Sequence, residues 1–366
     1  MKANQLLFAV LMAFQGLACG AQGSRTSISN HNGETQIIIE NNKEDLDLTY
    51  KGELVFNEAE TAIERLTPGS RLRFRNGDNK LEVSADASGA LQYRCNGGTA
   101  SAQLSAGCAP LMKQLVDLVI RSGAGAKERA ARIYAKGGFN TLMKEVDRLP
   151  GDYVRSLYLK AAMEQPALTP DNWSSLAGRI RTIESDYEKG VLLKKLLESP
   201  AAAATALPAV FDAASTMGSD YEKANVLQAA FRQKVDASWY PKVMTVATSI
   251  KSDYEKARVL KAAAVSPGIA PDALLPVAAT IGSDYEKAGV LKMLADKAGN
   301  NEAFWLSLLN TARGIQSDYE KAGVLIQAAK RMPRTQKVVA EYRKTAATIQ
   351  SEYELGRATK AIGTEA

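Results

Sequence analysis

The sequence predicts an α+β chain in which a small antiparallel β domain precedes an α-solenoid of helical hairpins about 34 residues long. Two observations carry this. The pentapeptide Ser185-Asp186-Tyr187-Glu188-Lys189 returns at Ser219, Ser252, Ser283 and Ser317. With a last copy at Ser351-Glu352-Tyr353-Glu354 and a degenerate one at Gly151-Asp152-Tyr153-Val154-Arg155, it puts tyrosines at Tyr153, Tyr187, Tyr221, Tyr254, Tyr285, Tyr319 and Tyr353, in steps of 34, 34, 33, 31, 34 and 34. Between Gln36 and about Leu104, by contrast, apolar residues recur every second position, the period of half-buried strands.

Residues 1–18 read as an export signal, with Lys2 before an apolar run from Leu6 to Phe14 and small residues after it. No second run of about 18 apolar residues follows. Leu17-Ala18-Cys19 is similar to the end of a bacterial lipoprotein signal, whose cysteine becomes the lipidated first residue, although Gly16 stands where leucine is usual. Cleavage after Ala21 is the competing reading. The first predicts a membrane anchor through Cys19 on the periplasmic side; the second predicts secretion. Once Cys19 is set aside, Cys95 and Cys108 are left 13 apart, most simply a disulfide in an oxidising compartment; two buried free thiols are the alternative.

Residues 19–35 are rich in Ser, Asn and Gly without an apolar period and read as a flexible tether holding the only histidine, His31. Residues 36–104 then alternate. Ile37 and Ile39, Leu46 and Leu48, Leu72 and Phe74, and Leu81 and Val83 predict five or six strands in meander order, with Arg71, Arg73 and Arg75 on a solvated face. Residues 105–150 predict a helix ending at Ser122-Gly123, then two helices separated by Gly137-Gly138 that form a bridge and capping hairpin.

Residues 151–366 hold the repeats. Ser-x-x-Glu is the capping box, in which serine accepts from the backbone N–H three residues on and glutamate reaches back to the serine N–H. Ser185, Ser219, Ser252, Ser283, Ser317 and Ser351 are therefore expected N-caps, with Asp186 and its equivalents favoured by the helix dipole. Leu149, Ile183, Met217, Ile250, Ile281, Ile315 and Ile349, four residues before each tyrosine, are expected to close the hairpin corner. Pairs such as Leu192-Leu193 and Val226-Leu227 are the expected core stripe.

The tyrosines admit two roles: rings wedged between neighbouring hairpins, or an exposed ladder. Constancy of position favours the wedge. Trp173, Trp239 and Trp305, 66 residues apart, would be partner-binding anchors if exposed and core if buried, and core is favoured. Neither a His-Glu-x-x-His motif nor a Ser/His/Asp set nor a nucleotide loop is present, so no catalytic, metal-binding or cofactor residue is expected. A net charge of +6 spread over 366 residues gives no reason to expect nucleic acid.

Together, the β segment, the bridge Gly125-Ala126-Lys127-Glu128-Arg129-Ala130 and the Asp-Tyr-Glu-Lys-x-x-Val-Leu copies resemble the exported regions attached to bacterial penicillin-sensor-type membrane metallopeptidases and related uncharacterised lipoproteins. The resemblance spans about residues 35–355 and implies a sensing or docking module. Lacking those receptors' membrane helices and zinc motif, the chain inherits no peptidase activity from it. The expectation is a non-enzymatic scaffold for a protein or a cell-envelope polymer, or alternatively a module that signals to a membrane receptor.

Overall fold

The computed structural model of the protein describes residues 25–40, 44–233, 237–266 and 268–363. The signal segment 1–18, Cys19 and the start of the expected tether lie outside the described residues. The chain divides into two compact units, Met1–Gln165 and Pro166–Ala366.

The first unit holds β1 (Arg25–His31), β2 (Glu34–Glu40), β3 (Glu44–Lys51), β4 (Leu54–Phe56), β5 (Ile63–Leu66), β6 (Arg71–Asn76), β7 (Asn79–Ala85) and β8 (Leu91–Cys95). Six of these form an antiparallel sheet in the order β1-β2-β3-β6-β7-β8, with β4 and β5 paired as a separate hairpin. The expected tether is corrected here, since β1 occupies residues 25–31 and pairs with β2, Ile28 opposite Ile37. Asn32 and Gly33, both at positive φ (53° and 77°), make the two-residue turn between them. Asn-Gly is a strong hairpin signal because both central positions of a type I′ turn need φ > 0.

One sheet face is core: Leu46, Leu48, Leu72, Phe74, Leu81 and Val83 are all buried. Helix α1 (Ala109–Ser122) packs against β7, and Asn76 Nδ2 donates to Gln114 Oε1 at 3.0 Å. On the other face Arg71, Arg73 and Arg75 are exposed, as expected. Each stands beside a carboxylate: Arg73 by Glu82 (3.1 Å) and Asp47 (3.8 Å), Arg71 by Glu82 (3.9 Å), and Arg75 by Asp45. Cys95 at the end of β8 and Cys108 just before α1 are at disulfide distance, Cα to Cα 6.5 Å.

Gly123, at φ 85°, ends α1 in the left-handed conformation that glycine adopts without a Cβ penalty. Helix α2 (Ala126–Val146) is broken at Gly138 (φ 70°, ψ −171°), so the two predicted helices meet at a kink. Helix α3 (Asp152–Met163), opened by the degenerate Gly151 copy, packs on α2. Arg129 of α2 is the ionic centre of this unit. It is 6% exposed, grips Glu60 through Nε and Nη2 at 2.7 and 2.8 Å, lies 2.8 Å from Glu145 and donates to the Tyr158 hydroxyl at 3.1 Å. Arg132 adds a third contact to Glu60 at 2.7 Å. Burial opposes the Glu60 charge, but the hydrogen bonds and charges of the two arginines outweigh it and hold the carboxyl below its ordinary value.

The second unit is two layers of helices. The motif opens α5 (Asp186–Leu197), α7 (Asp220–Phe231), α9 (Asp253–Ala264), α11 (Asp284–Lys297), α13 (Asp318–Ala329) and α15 (Glu352–Ile362), which pack one on the next. Between them come α4 (Pro170–Arg181), α6 (Pro200–Ser215), α8 (Tyr240–Thr248), α10 (Leu275–Ala279), α12 (Glu302–Arg313) and α14 (Gln336–Ala346), which form the second layer. Pro170 and Pro200 take the first helical position, where the missing N–H costs nothing. Ile183, Met217, Ile250, Ile281, Ile315 and Ile349 are buried at the corners, as are the Val-Leu pairs of the motif helices. This is the expected solenoid, each hairpin burying its apolar face against its neighbours.

Candidate functional site

The site is built by the repeat motif. Ser185, Ser219, Ser252, Ser283, Ser317 and Ser351 are N-caps, each hydroxyl accepting from the backbone N–H of the glutamate three residues on. The return half of the expected box is different. Asp186 accepts from the backbone N–H of Gly218 and Ser219, and Asp220 from that of Lys251 and Ser252. Asp253 serves Gly282 and Ser283, Asp284 serves Gln316 and Ser317, and Asp318 serves Gln350 and Ser351. Each aspartate therefore staples its helix to the start of the next motif helix, at 2.6–2.8 Å to the serine nitrogen. Two orphan donors at a helix N-terminus are satisfied by a carboxylate from the neighbouring repeat.

The motif lysine is a second staple. Nζ of Lys189, Lys223, Lys256 and Lys321 donates to the hydroxyl of Thr216, Ser249, Thr280 and Thr348, at 2.9, 3.0, 3.0 and 3.0 Å. Each hydroxyl in turn donates to the carbonyl three residues before it. Burial pulls the Lys223 ammonium below its ordinary pKa, against the attraction of Asp220 and Asp186. In the last copy Glu352 replaces the aspartate, keeping a carboxylate on a longer side chain, and Leu355 replaces the lysine.

Freed from capping, Glu222, Glu255, Glu286, Glu320 and Glu354 pair with cations by one of two routes. Where the residue seven after the preceding tyrosine is lysine, it crosses to the glutamate: Lys194 to Glu222 (3.7 Å), Lys261 to Glu286 (3.0 Å) and Lys292 to Glu320 (3.0 Å). Where that position is Gln228 or Ile326, the cation comes from the glutamate's own helix: Arg258 to Glu255 (2.6 Å) and Arg357 to Glu354 (2.7 Å). The position of those arginines, four after the tyrosine, is Asn225, Gly289 or Gly323 beside the lysines that cross. These residues carry no signal in a single repeat; only the alternation between repeats marks them.

On this frame the tyrosines stand outward, which corrects the wedged expectation. Tyr187, Tyr221, Tyr254, Tyr285, Tyr319 and Tyr353 are 45–74% exposed, and Tyr153 in the first unit is half-buried. Serine fixes the helix start and the Val-Leu pair, five and six residues after the tyrosine, faces the core. The ring at the first helical turn is thereby turned to solvent. Arg258 lies between two of these rings, its Cζ 6.0 Å from the centroid of Tyr221 and 5.8 Å from that of Tyr254. Arg357 repeats the arrangement with Tyr319 (5.8 Å) and Tyr353 (5.9 Å). A guanidinium within about 6 Å of a ring centroid is attracted to the ring quadrupole.

The tryptophans do not form a row of anchors. Trp173 and Trp305 are buried, and Trp305 donates from Nε1 to the Gly299 carbonyl at 2.8 Å and meets Phe304 edge to face. Trp239, on the short turn Ala237–Trp239, is half-buried. Core packing removes the two buried ones as partner-binding residues.

Among the described residues no three or more His, Cys, Asp and Glu side chains are grouped to hold a metal ion, and no helix is long and apolar enough to cross a membrane. Comparison with family models, curated proteins and solved structures returns no match.

Proposed function

We propose that the chain is a non-enzymatic, exported binding scaffold, anchored to a membrane through Cys19, which presents its tyrosine row to a protein or a cell-envelope polymer. The observation that supports this is the exposure of the row. Among the described residues, the other large apolar side chains left exposed are Ile28 and Val265. Apart from the Arg258 and Arg357 contacts, folding gains little from keeping an aromatic ring in water at every repeat, whereas tyrosine is a preferred anchor in binding surfaces because it brings large, rigid area at low entropic cost. The resemblance to sensor-attached regions supports a second reading, in which the partner is a membrane receptor.

Capture from solubilised cell envelopes tests it, using the exported chain beside a variant with Tyr221, Tyr254, Tyr285 and Tyr319 changed to Ser. A partner held by the native chain and released by an equally folded variant is the expected result. Equal capture by both would show that the row is not the partner face.

A further inference from the structure

The tyrosine row is irregular in one place. The gaps Tyr221/Tyr254 and Tyr319/Tyr353 are filled by Arg258 and Arg357. The gap Tyr187/Tyr221 has Asn225 at that helix position, and Arg258 reaches its Oδ1 at 3.4 Å. At the two gaps either side of Tyr285 the same position is Gly289 and Gly323. A Cβ at Gly289 would lie 3.3 Å from Lys261 Nζ, and one at Gly323 3.0 Å from Lys292 Nζ, so the ammonium groups floor these gaps. Each ammonium is 3.0 Å from its carboxylate, Glu286 or Glu320. Two adjacent gaps that hold a lysine ammonium where the others hold an arginine or asparagine thus flank a ring that is 70% exposed.

We propose that these two gaps bind a neutral polysaccharide, with the Tyr285 ring as stacking platform and the Lys261–Glu286 and Lys292–Glu320 pairs as partners for sugar hydroxyls. The inference rests on the tyrosine row being the partner face. A hydroxyl is donor and acceptor at once, and an ammonium–carboxylate pair offers both functions side by side. Because the charges of each pair cancel, a polyanion finds no net attraction at the floor. A polyproline helix docks instead in an apolar aromatic groove, which an ionic floor does not provide. The apolar C–H face of a sugar ring matches an exposed phenol face. Packed helices stand about 8–10 Å apart, so the two gaps show the same floor twice along the stack, as a polymer of repeating units requires.

The test is co-sedimentation of the purified exported chain with a panel of insoluble neutral polysaccharides (cellulose, chitin, a β-1,3-glucan and a mannan), with a soluble polyproline peptide as competitor. The native chain is expected to sediment with at least one of the four and to keep doing so in the presence of the peptide. Tyr285→Ala should weaken that retention by at least tenfold. The double variant Lys292→Ile/Gly323→Arg copies the arrangement that Ile326 and Arg357 already hold in this chain, and Lys261→Ile/Gly289→Arg does the same one repeat earlier. Each closes a gap in a form the stack accommodates, and each should lose retention tenfold with melting unchanged. Ile326→Lys/Arg357→Gly, which opens a further gap, should increase it. Retention by none of the polysaccharides, or full displacement by the peptide, overturns the proposal. So does undiminished retention of both closed variants. If the polysaccharides fail while the tyrosine-to-serine variant still loses an envelope protein, this inference falls and the scaffold reading stands.

Discussion

The carboxylate of Asp253 accepts a hydrogen bond from the backbone N–H of Ser283, thirty residues later, at 2.7 Å, while its other oxygen takes the Gly282 N–H at 3.0 Å. The contact joins consecutive motif helices through the backbone. Asp253→Ala should cost about 2–3 kcal/mol, because a charge-assisted acceptor is lost and two amide groups are left to find water. Ser252→Ala removes only the cap, at about 1 kcal/mol. Thermal melting of both variants orders the two effects, and an equal or larger loss for Ser252→Ala would contradict the staple.

One lysine lacks its hydroxyl. Lys287 is 8% exposed, and Gly314 stands where Thr216, Ser249, Thr280 and Thr348 stand in the other repeats. Gly314 has φ −72° and ψ −5°, open to any residue, and a Cβ would meet only the Thr311 carbonyl at 3.4 Å. That carbonyl is the group a serine hydroxyl would donate to. Gly314→Ser should therefore stabilise by about 0.5–1 kcal/mol through the unfolded chain, with the lysine contact in addition. A lower melting temperature would refute it.

The two routes to a glutamate cation should be interchangeable. Arg357→Gly leaves Glu354, 8% exposed, without its cation and should cost about 1–2 kcal/mol, between the exposed and buried limits for ion pairs. Adding Ile326→Lys should recover most of it, since lysine at that position serves Glu222, Glu286 and Glu320. A double-mutant cycle measures the coupling, and additivity would mean that the two positions do not share the glutamate.

The β domain should be acid-sensitive through Glu60. Its carboxyl titrates below the ordinary value of 4.5 because Arg129 and Arg132 favour the charged form. A depressed carboxyl pKa contributes stability that is full above 4.5 and is lost as pH falls through the lower folded value. Chemical denaturation between pH 7 and 3 should therefore show a steeper loss for the native chain than for Glu60→Gln, which is less stable at pH 7. Parallel curves would remove the linkage.

Much of the fold was legible because it follows from neighbours along the chain. A serine cap reaches three residues on, an apolar pair five and six residues after the tyrosine returns to one helix face, and Gly123 ends α1 by its own φ. The Asn32-Gly33 hairpin is equally local. It was hidden by the polar residues around it, since β1 is an edge strand with little core to mark it. The candidate site was legible as a motif and not as a surface, because Asp186, Lys189 and Glu188 look alike as first-turn charges until a neighbouring helix is present.

By itself, the sequence determined the α+β order, the helix starts, the repeat period and the buried corner at Ile183 and its equivalents, all set by short-range sterics and periodic burial. Only the tertiary structure decided that Asp253 spends its charge on Ser283 and that Trp305 is core. It also decided that Tyr285 faces water between two gaps floored by the Lys261 and Lys292 ammonium groups. Those outcomes depend on groups some 25–33 residues apart meeting across stacked helices, where one ring can be covered or left open without altering the local pattern that encodes it.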